Sequence, residues 1–168
     1  MYRLELEYIK YDENMSPKDC RSLEHDVAYN LLASMLHNHF GITKPTVLKN
    51  ENGKPYVNFD GVHFSISHTL GLVACVVADI PVGVDCELIK TKRTNEIEKF
   101  ANRFFVENEI EFLKNSHNPS FDFLKIWTGK EATIKKQGSN MAQVKKIDTT
   151  KENLIYSYEK EYIICINI

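Results

Sequence analysis

The fold class is decided by residues 72–87, LVACVVADIPVGVDCE. The apolar run 72–78 is rich in valine and predicts a buried strand. Ile80-Pro81 indicates a turn, and residues 82–87 predict a second strand directly behind it. Two strands this close together place a sheet in the middle of the chain.

The chain before this stretch predicts one strand, one long helix and a hairpin. Residues 2–9 alternate between apolar and charged side chains, which is the period of a half-buried strand. Ser16-Pro17 is typical of a helix start, and Gly41 is typical of the residue after a helix end. Asn52-Gly53 predicts a type I' hairpin turn, and residues 62–66 predict a short strand.

The chain changes character after residue 94. Apolar residues at helical spacing predict short helices near 97–104 and 110–113 and a longer helix over 121–136. The tail predicts three strands, near 143–148, 153–158 and 161–166. Strands, then helices, then strands make an α+β pattern and not a regular βαβ series.

Composition is that of an ordinary globular protein. Hydrophobic residues make up 43%, charged residues 26%, and the formal net charge is -2, so no global basic field indicates nucleic-acid binding. The four cysteines form no CxxC pair, which argues against a zinc site or a disulfide framework. The first residues carry charge and no apolar stretch follows, so we expect a cytoplasmic protein without a signal peptide or membrane span.

Two pairs of residues could carry chemistry. Asp85 and Glu87 lie two apart on a predicted strand, so they share a face where both carboxylates could hold Mg²⁺. Glu131 and Lys135 lie one turn apart on the long helix and could serve a metal and a phosphate. Taken alone, each pair is better explained by ordinary structure: a solvated strand end and a surface ion pair.

Two further motifs could meet a phosphate. Lys54-Pro55 lies in the predicted hairpin turn, although turn lysines are normally just solvated. Ser67-His68 ends a predicted strand, although a lone histidine is more often structural. No GxSxG surrounds Ser67, so the motif is not a hydrolase signature. A basic cluster follows the acidic pair and by itself reads as a solvated loop: Lys90, Lys92 and Arg93.

The order of these motifs resembles the 4'-phosphopantetheinyl transferase superfamily. It looks most like the larger single-chain type, which activates carrier proteins of peptide, polyketide or fatty acid synthases. The resemblance runs from about residue 16 to 137, is most specific over 82–87 and 127–135, and includes FFVENE at 104–109. It implies one domain, 1–168, of two pseudo-symmetric α+β halves, about 1–79 and 80–168, with coenzyme A between them.

The resemblance also implies roles at the reaction centre. Asp85, Glu87 and Glu131 would be the magnesium ligands. Lys135 would contact the pyrophosphate region of coenzyme A. Glu131, with water held by Glu109, would help to deprotonate the acceptor serine.

For the coenzyme, the resemblance implies a second group of residues. Lys54, Ser67 and His68 would help to hold the adenosine phosphates, with Pro55 beside Lys54. The sequence departs from the family pattern in the first long helix, where basic and hydroxyl residues are usual. Here that stretch reads VAYN at 27–30.

The function implied is a magnesium-dependent transfer of the phosphopantetheine arm of coenzyme A to a serine of an acyl or peptidyl carrier protein, with release of 3',5'-ADP. The partners would be the carrier protein and coenzyme A, with no nucleic acid and no membrane. The strand, helix and hairpin before the acidic pair argue for a monomer. The alternative is a non-catalytic coenzyme A or nucleotide-binding module of the same fold, and a magnesium phosphohydrolase is a weaker third option.

Overall fold

Antiparallel strands form the centre of the molecule. The structure is a computed structural model that describes residues 1–90 and 93–168. Its strands are β1 (Tyr2–Tyr8), β2 (Val47–Lys49), β3 (Pro55–Val57), β4 (His63–Thr69), β5 (Leu72–Ala78), β6 (Gly83–Leu88), β7 (Leu154–Glu159) and β8 (Tyr162–Asn167). They form two three-stranded sheets, ordered β1-β5-β4 and β6-β8-β7, and a separate β2-β3 hairpin.

The helices in the described residues are α1 (Pro17–Phe40), α2 (Thr94–Phe104), α3 (Glu107–Lys114) and α4 (Pro119–Gln137). The Ser16 side chain accepts from the backbone N of Asp19 and caps α1, which ends at Gly41 in the left-handed region. α4 ends in the same way at Gly138. The predicted bounds of both long helices are confirmed to within two residues. Across residues 1–90 and 93–168, no helix is both long and apolar enough to cross a bilayer.

The two sheets repeat one topology. In each, the first strand is followed by a long helix, and the last strand lies between the other two. α1 packs on the first sheet through Leu32 and Leu36, which meet Phe64 and Val77. α4 packs on the second sheet against β6 and β8. The α+β fold with two similar halves is therefore confirmed, whereas the domain bounds remain a prediction.

One apolar layer joins the halves. Its buried side chains come from β5, β6 and β8, and include Val76, Val84, Cys86 and Ile164. β5 is buried along its whole length, as its continuous apolar sequence predicts. The layer fixes β6 beside the first sheet, and the acidic pair is carried on β6.

The hairpin is confirmed, but its predicted turn type is wrong. Pairing begins at Lys49 and Pro55, which leaves five residues, 50–54, in the turn. A type I' turn needs two residues with positive φ, and only Gly53, at 82°, has one there. The side-chain oxygen of Asn50 accepts from the backbone N of Asn52 and of Lys54, and this supports the wider turn.

The strand predicted at 143–148 is also wrong. Met141–Lys146 forms a 3₁₀ helix, and a second short one spans Thr149–Lys151. Val144 and Ile147 are both buried, and a spacing of three suits the three-residue period of a 3₁₀ turn. The two remaining tail strands are confirmed as β7 and β8.

Candidate functional site

The two halves meet where β4 runs beside β6, and serine hydroxyls make the junction. The backbone N of Val84 donates to Ser65 Oγ at 3.0 Å, and that of Cys86 donates to Ser67 Oγ at 3.3 Å. Both serines are buried. Hydroxyls therefore take the place that carbonyls would have in a continuous sheet.

Asp85 lies at the centre of this junction. Its Oδ1 accepts from Ser67 Oγ at 2.7 Å and from Lys135 Nζ at 2.8 Å, and Lys135 also donates to Ser67 Oγ at 2.8 Å. Asp85 is 2% exposed, yet its Oδ2 has no partner. Buried polar atoms are nearly always bonded, so this oxygen is suited in its chemistry to contact a cation.

Glu131 lies on α4 one turn before Lys135 and adds negative charge to the junction. Its pKa is raised to about 7, chiefly by burial and next by the charge of Asp85; the charge of Lys135 opposes the rise and that of Glu87 adds to it. Burial lowers the pKa of Lys135, but the charge and hydrogen bond of Asp85 outweigh this, so the pKa is raised. The junction therefore favours additional positive charge.

The donor set suits a hard cation in its chemistry. Within residues 1–90 and 93–168, no group of three or more His, Cys, Asp or Glu side chains is arranged to hold a metal ion. Asp85 nevertheless offers an unpartnered oxygen, and Glu131 lies near enough to Asp85 and Glu87 for their charges to shift its pKa. Carboxylate oxygens are the ligands that Mg²⁺ prefers.

A groove of about 240 Å³ lies between the hairpin turn, β4 and the end of α4. Lys54 and Pro55 line one wall and Lys135 and Ser139 the other, so the structure brings the predicted turn lysine towards the junction. Lys54 Nζ donates to the carbonyl of Lys136 at 2.8 Å, and burial lowers its pKa. Ser139 Oγ is buried and has no partner.

His68 does not join the carboxylate junction. Successive side chains of a strand point to opposite faces, so His68 turns towards α1 while Ser67 turns towards β6. Its Nδ1 lies 3.3 Å from Glu24 Oε2, and its side chain is half exposed. The hydroxyl of Ser67, by contrast, has all its hydrogen-bonding positions occupied. It donates to Asp85 and accepts from Lys135 and from the N–H of Cys86.

The carboxylate of Glu109 is held by partners at the N-cap of α3, on α4 and on the second 3₁₀ helix. Its Oε1 accepts from the backbone N and the hydroxyl of Thr149, at 2.9 and 2.7 Å. Its Oε2 accepts from Val106 N at 3.1 Å and pairs with Lys130 Nζ at 2.7 Å. A carboxylate has about four acceptor sites. All four are occupied, so Glu109 has none left to hold water for Glu131.

Lys130 is the residue that sequence reasoning missed. Its side chain is fully buried, and its Nζ donates to the carbonyls of Val144 and Ile147 besides pairing with Glu109. It thereby ties α4 to α3 and to the 3₁₀ helix. A lysine directly before Glu131 was the available signal, but its partner lies 21 residues earlier, beyond any helical spacing.

Comparison with known proteins agrees with this geometry. The 4'-phosphopantetheinyl transferase superfamily matches residues 81–161, which include Asp85, Glu87, Glu131 and Lys135. The chain is 44% identical over 96 residues to 4'-phosphopantetheinyl transferase gsp of Aneurinibacillus migulanus, covering 55% of this chain and 38% of that protein. It is 30% identical over 128 residues to 4'-phosphopantetheinyl transferase HetI of Nostoc sp., covering 70% and 53%.

A third relative is the 4'-phosphopantetheinyl transferase of Bacillus subtilis, 33% identical over 95 residues, which are 55% of this chain and 41% of that protein. The chain thus spans about half the length of these relatives, or less. The matches agree with the repeated α+β topology and with the acidic junction on β6 and α4. The chain belongs to the 4'-phosphopantetheinyl transferase superfamily.

Proposed function

We propose that this chain is a magnesium-dependent 4'-phosphopantetheinyl transferase of the larger single-chain type. It would move the phosphopantetheine arm of coenzyme A to a serine of an acyl or peptidyl carrier protein. The observation that carries the proposal is the junction of buried Asp85 and Ser67 with half-buried Lys135, where Asp85 Oδ2 is unpartnered and Glu131 lies beside it.

In the reaction, the serine hydroxyl of the carrier protein attacks the β-phosphate of coenzyme A. A phosphorus–oxygen bond forms to the serine, the bond to the leaving 3',5'-ADP breaks, and the serine proton passes to a carboxylate oxygen of Glu131. Phosphoryl transfer of this kind depends on positioning and charge neutralisation. Lys135 supplies a point charge for the phosphoryl oxygens, and Ser67 holds its amine in place.

Asp85, Glu87 and Glu131 would hold Mg²⁺, which when bound neutralises charge on the pyrophosphate. The nucleotide end of coenzyme A would lie along the end of β4 and the hairpin groove. Lys54 and His68 would then meet its phosphates. Lys54 keeps donors for a phosphate because an ammonium has three hydrogens and one is used on the Lys136 carbonyl.

The carrier protein would approach beside β6. Lys90 and Arg93 are exposed there, and Lys92 lies outside the described residues. Arg103 is exposed on α2, with its guanidinium 4.9 Å from the ring centre of Phe104. These groups suit an acidic helix next to the acceptor serine. We further propose that the protein acts as a cytoplasmic monomer.

Intact-mass analysis of an apo carrier protein tests the function. With this protein, coenzyme A and Mg²⁺, we expect the carrier to gain one phosphopantetheine, and removal of Mg²⁺ with a chelator should prevent the gain. Glu131→Gln should keep coenzyme A binding, measured by calorimetry, but lose most single-turnover transfer. If coenzyme A binds and no carrier gains mass, the non-catalytic module is the better explanation.

A further inference from the structure

We propose that Glu24 on α1 is a positioning residue for His68. It fixes the imidazole so that Nε2 faces a phosphate in the nucleotide part of the coenzyme substrate. The identity of that ligand rests on the function proposed above. The fixing of the ring rests on contacts within the chain alone.

Glu24 and His68 form an ion pair between α1 and β4. His68 Nδ1 lies 3.3 Å from Glu24 Oε2. An ionised carboxylate only accepts, so this approach favours the hydrogen on Nδ1. Nε2 is then the nitrogen left for a ligand. In the imidazolium form both nitrogens donate, Nδ1 to Glu24 and Nε2 to an anion.

Glu24 is itself held in place from a second side. Its Oε1 accepts from the hydroxyl of Tyr11 at 2.6 Å, and that hydroxyl accepts from the backbone N of Gly71 at 3.2 Å. The side chain of Glu24 is only 13% exposed, whereas that of His68 is 50% exposed. A fixed chain of contacts therefore runs from the β4–β5 turn to the ring, and the histidine is its open end.

The placement of His68 also indicates the size of the ligand. Ser67 faces the Asp85 and Lys135 junction, while His68 faces α1 on the other side of β4. A small phosphate ester bound at the junction would not reach both faces. A ligand with phosphates on two sides of one ribose, such as the 3'-phosphate and 5'-diphosphate of coenzyme A, would reach both.

The effect of Glu24 on the His68 ring can be measured without any ligand. Nitrogen NMR shows which ring nitrogen carries the hydrogen, and a His68→Gln variant assigns the signals. In the wild type, the neutral ring should carry its hydrogen on Nδ1. In Glu24→Ala the hydrogen should lie more often on Nε2. Tyr11→Phe should increase the Nε2 population by a smaller amount. Asp26→Ala removes an exposed acid of the same helix and should change nothing. A wild-type ring with its hydrogen on Nε2 overturns the hold.

Calorimetry then tests the ligand, with coenzyme A beside 4'-phosphopantetheine, which lacks the nucleotide. Glu24→Ala should weaken coenzyme A binding roughly tenfold, since a charged hydrogen bond is worth at least about one tenfold step. Binding of 4'-phosphopantetheine, and kcat at saturating coenzyme A, should stay within about twofold. Equal weakening of both ligands overturns the positioning role. A wild type that binds no coenzyme A overturns the proposed function and the ligand assignment, while the NMR result stands separately.

Discussion

The two halves use one strand order but fill their buried positions differently. α1 buries only apolar residues on the first sheet: Ala28, Leu32, Met35 and Leu36. α4, on the second sheet, buries Lys130, Thr128 and Thr133 among its apolar residues. The same contrast holds between the first strands, because β1 is half-exposed whereas β6 buries Asp85.

Burying charge is costly unless each charge is paired and hydrogen-bonded. The second half meets this condition in two ways. Lys130 and Glu109 are fully satisfied by each other, Thr149 and backbone groups. Asp85 and Lys135 are satisfied except at Asp85 Oδ2. We therefore assign a structural role to the complete pair and propose the reactive site at the incomplete pair.

The strongest test of this contrast is Asp85→Ala, which should leave no measurable transfer. Removing the carboxylate takes away the unpartnered oxygen and the partner of Lys135 at once. Asp60→Ala, an exposed acid in the first half, should transfer like the wild type. Turnover is measured by carrier-protein mass in saturating Mg²⁺. Wild-type turnover by Asp85→Ala would show that the junction is structural.

Lys130→Met should instead act on stability. It leaves Glu109 charged, buried and unpaired, which costs about 3–5 kcal/mol of unfolding free energy. Urea unfolding followed by circular dichroism measures this. Lys125→Met, on an exposed position of α4, should cost far less.

The double variant Glu109→Leu with Lys130→Met sharpens the same comparison. It leaves no lone buried charge, so it should be more stable than Lys130→Met alone. If instead the two losses simply add, the pair does not act as a buried ion pair in the folded protein.

Local sequence patterns were sufficient to predict most of the helices and strands. Cap residues predicted the ends of α1, apolar spacing predicted α4, and a continuous apolar run predicted β5. The strand predicted at 143–148 is wrong because the structure of this region depends on a distant charged side chain. Lys130 Nζ binds the carbonyls of Val144 and Ile147, and no local pattern shows that contact.

The candidate site shows the same limit. The family motifs predicted Asp85 and Lys135, and the structure brings these two together. Nothing in the sequence shows that Glu109 is used up by Lys130 and Thr149, or that Glu24 holds His68. Each of these contacts joins elements that are far apart in the chain, so tertiary packing decides it.

The two junction serines form a matched pair for a smaller effect. Ser65→Ala leaves the buried N–H of Val84 unpaired, which costs about 1–3 kcal/mol of stability, but kcat should stay near the wild-type value. Ser67→Ala should cost similar stability and also lower kcat by roughly tenfold, because Asp85 and Lys135 lose a shared partner. An equal fall of kcat in both variants would mean that the whole junction, and not Ser67, positions the reacting groups.

The smallest expected effect concerns docking of the carrier protein. Lys90 and Arg103 are exposed in the second half, and opposite charge on a carrier would speed encounter more than it would tighten the complex. Lys90→Glu with Arg103→Glu should therefore raise the carrier-protein KM several-fold, while the coenzyme A KM stays unchanged.

Lys10→Glu with Lys44→Glu makes the same charge change on exposed positions of the first half and should have no effect on either KM. Such charges are screened over about 8 Å at physiological salt, so rising salt should lower the carrier-protein efficiency of the wild type towards that of the docking variant. If both double variants raise the carrier-protein KM equally, net charge alone steers the encounter and the second half carries no docking face. If neither does, the carrier approaches elsewhere, and the assignment of the reacting groups is unaffected.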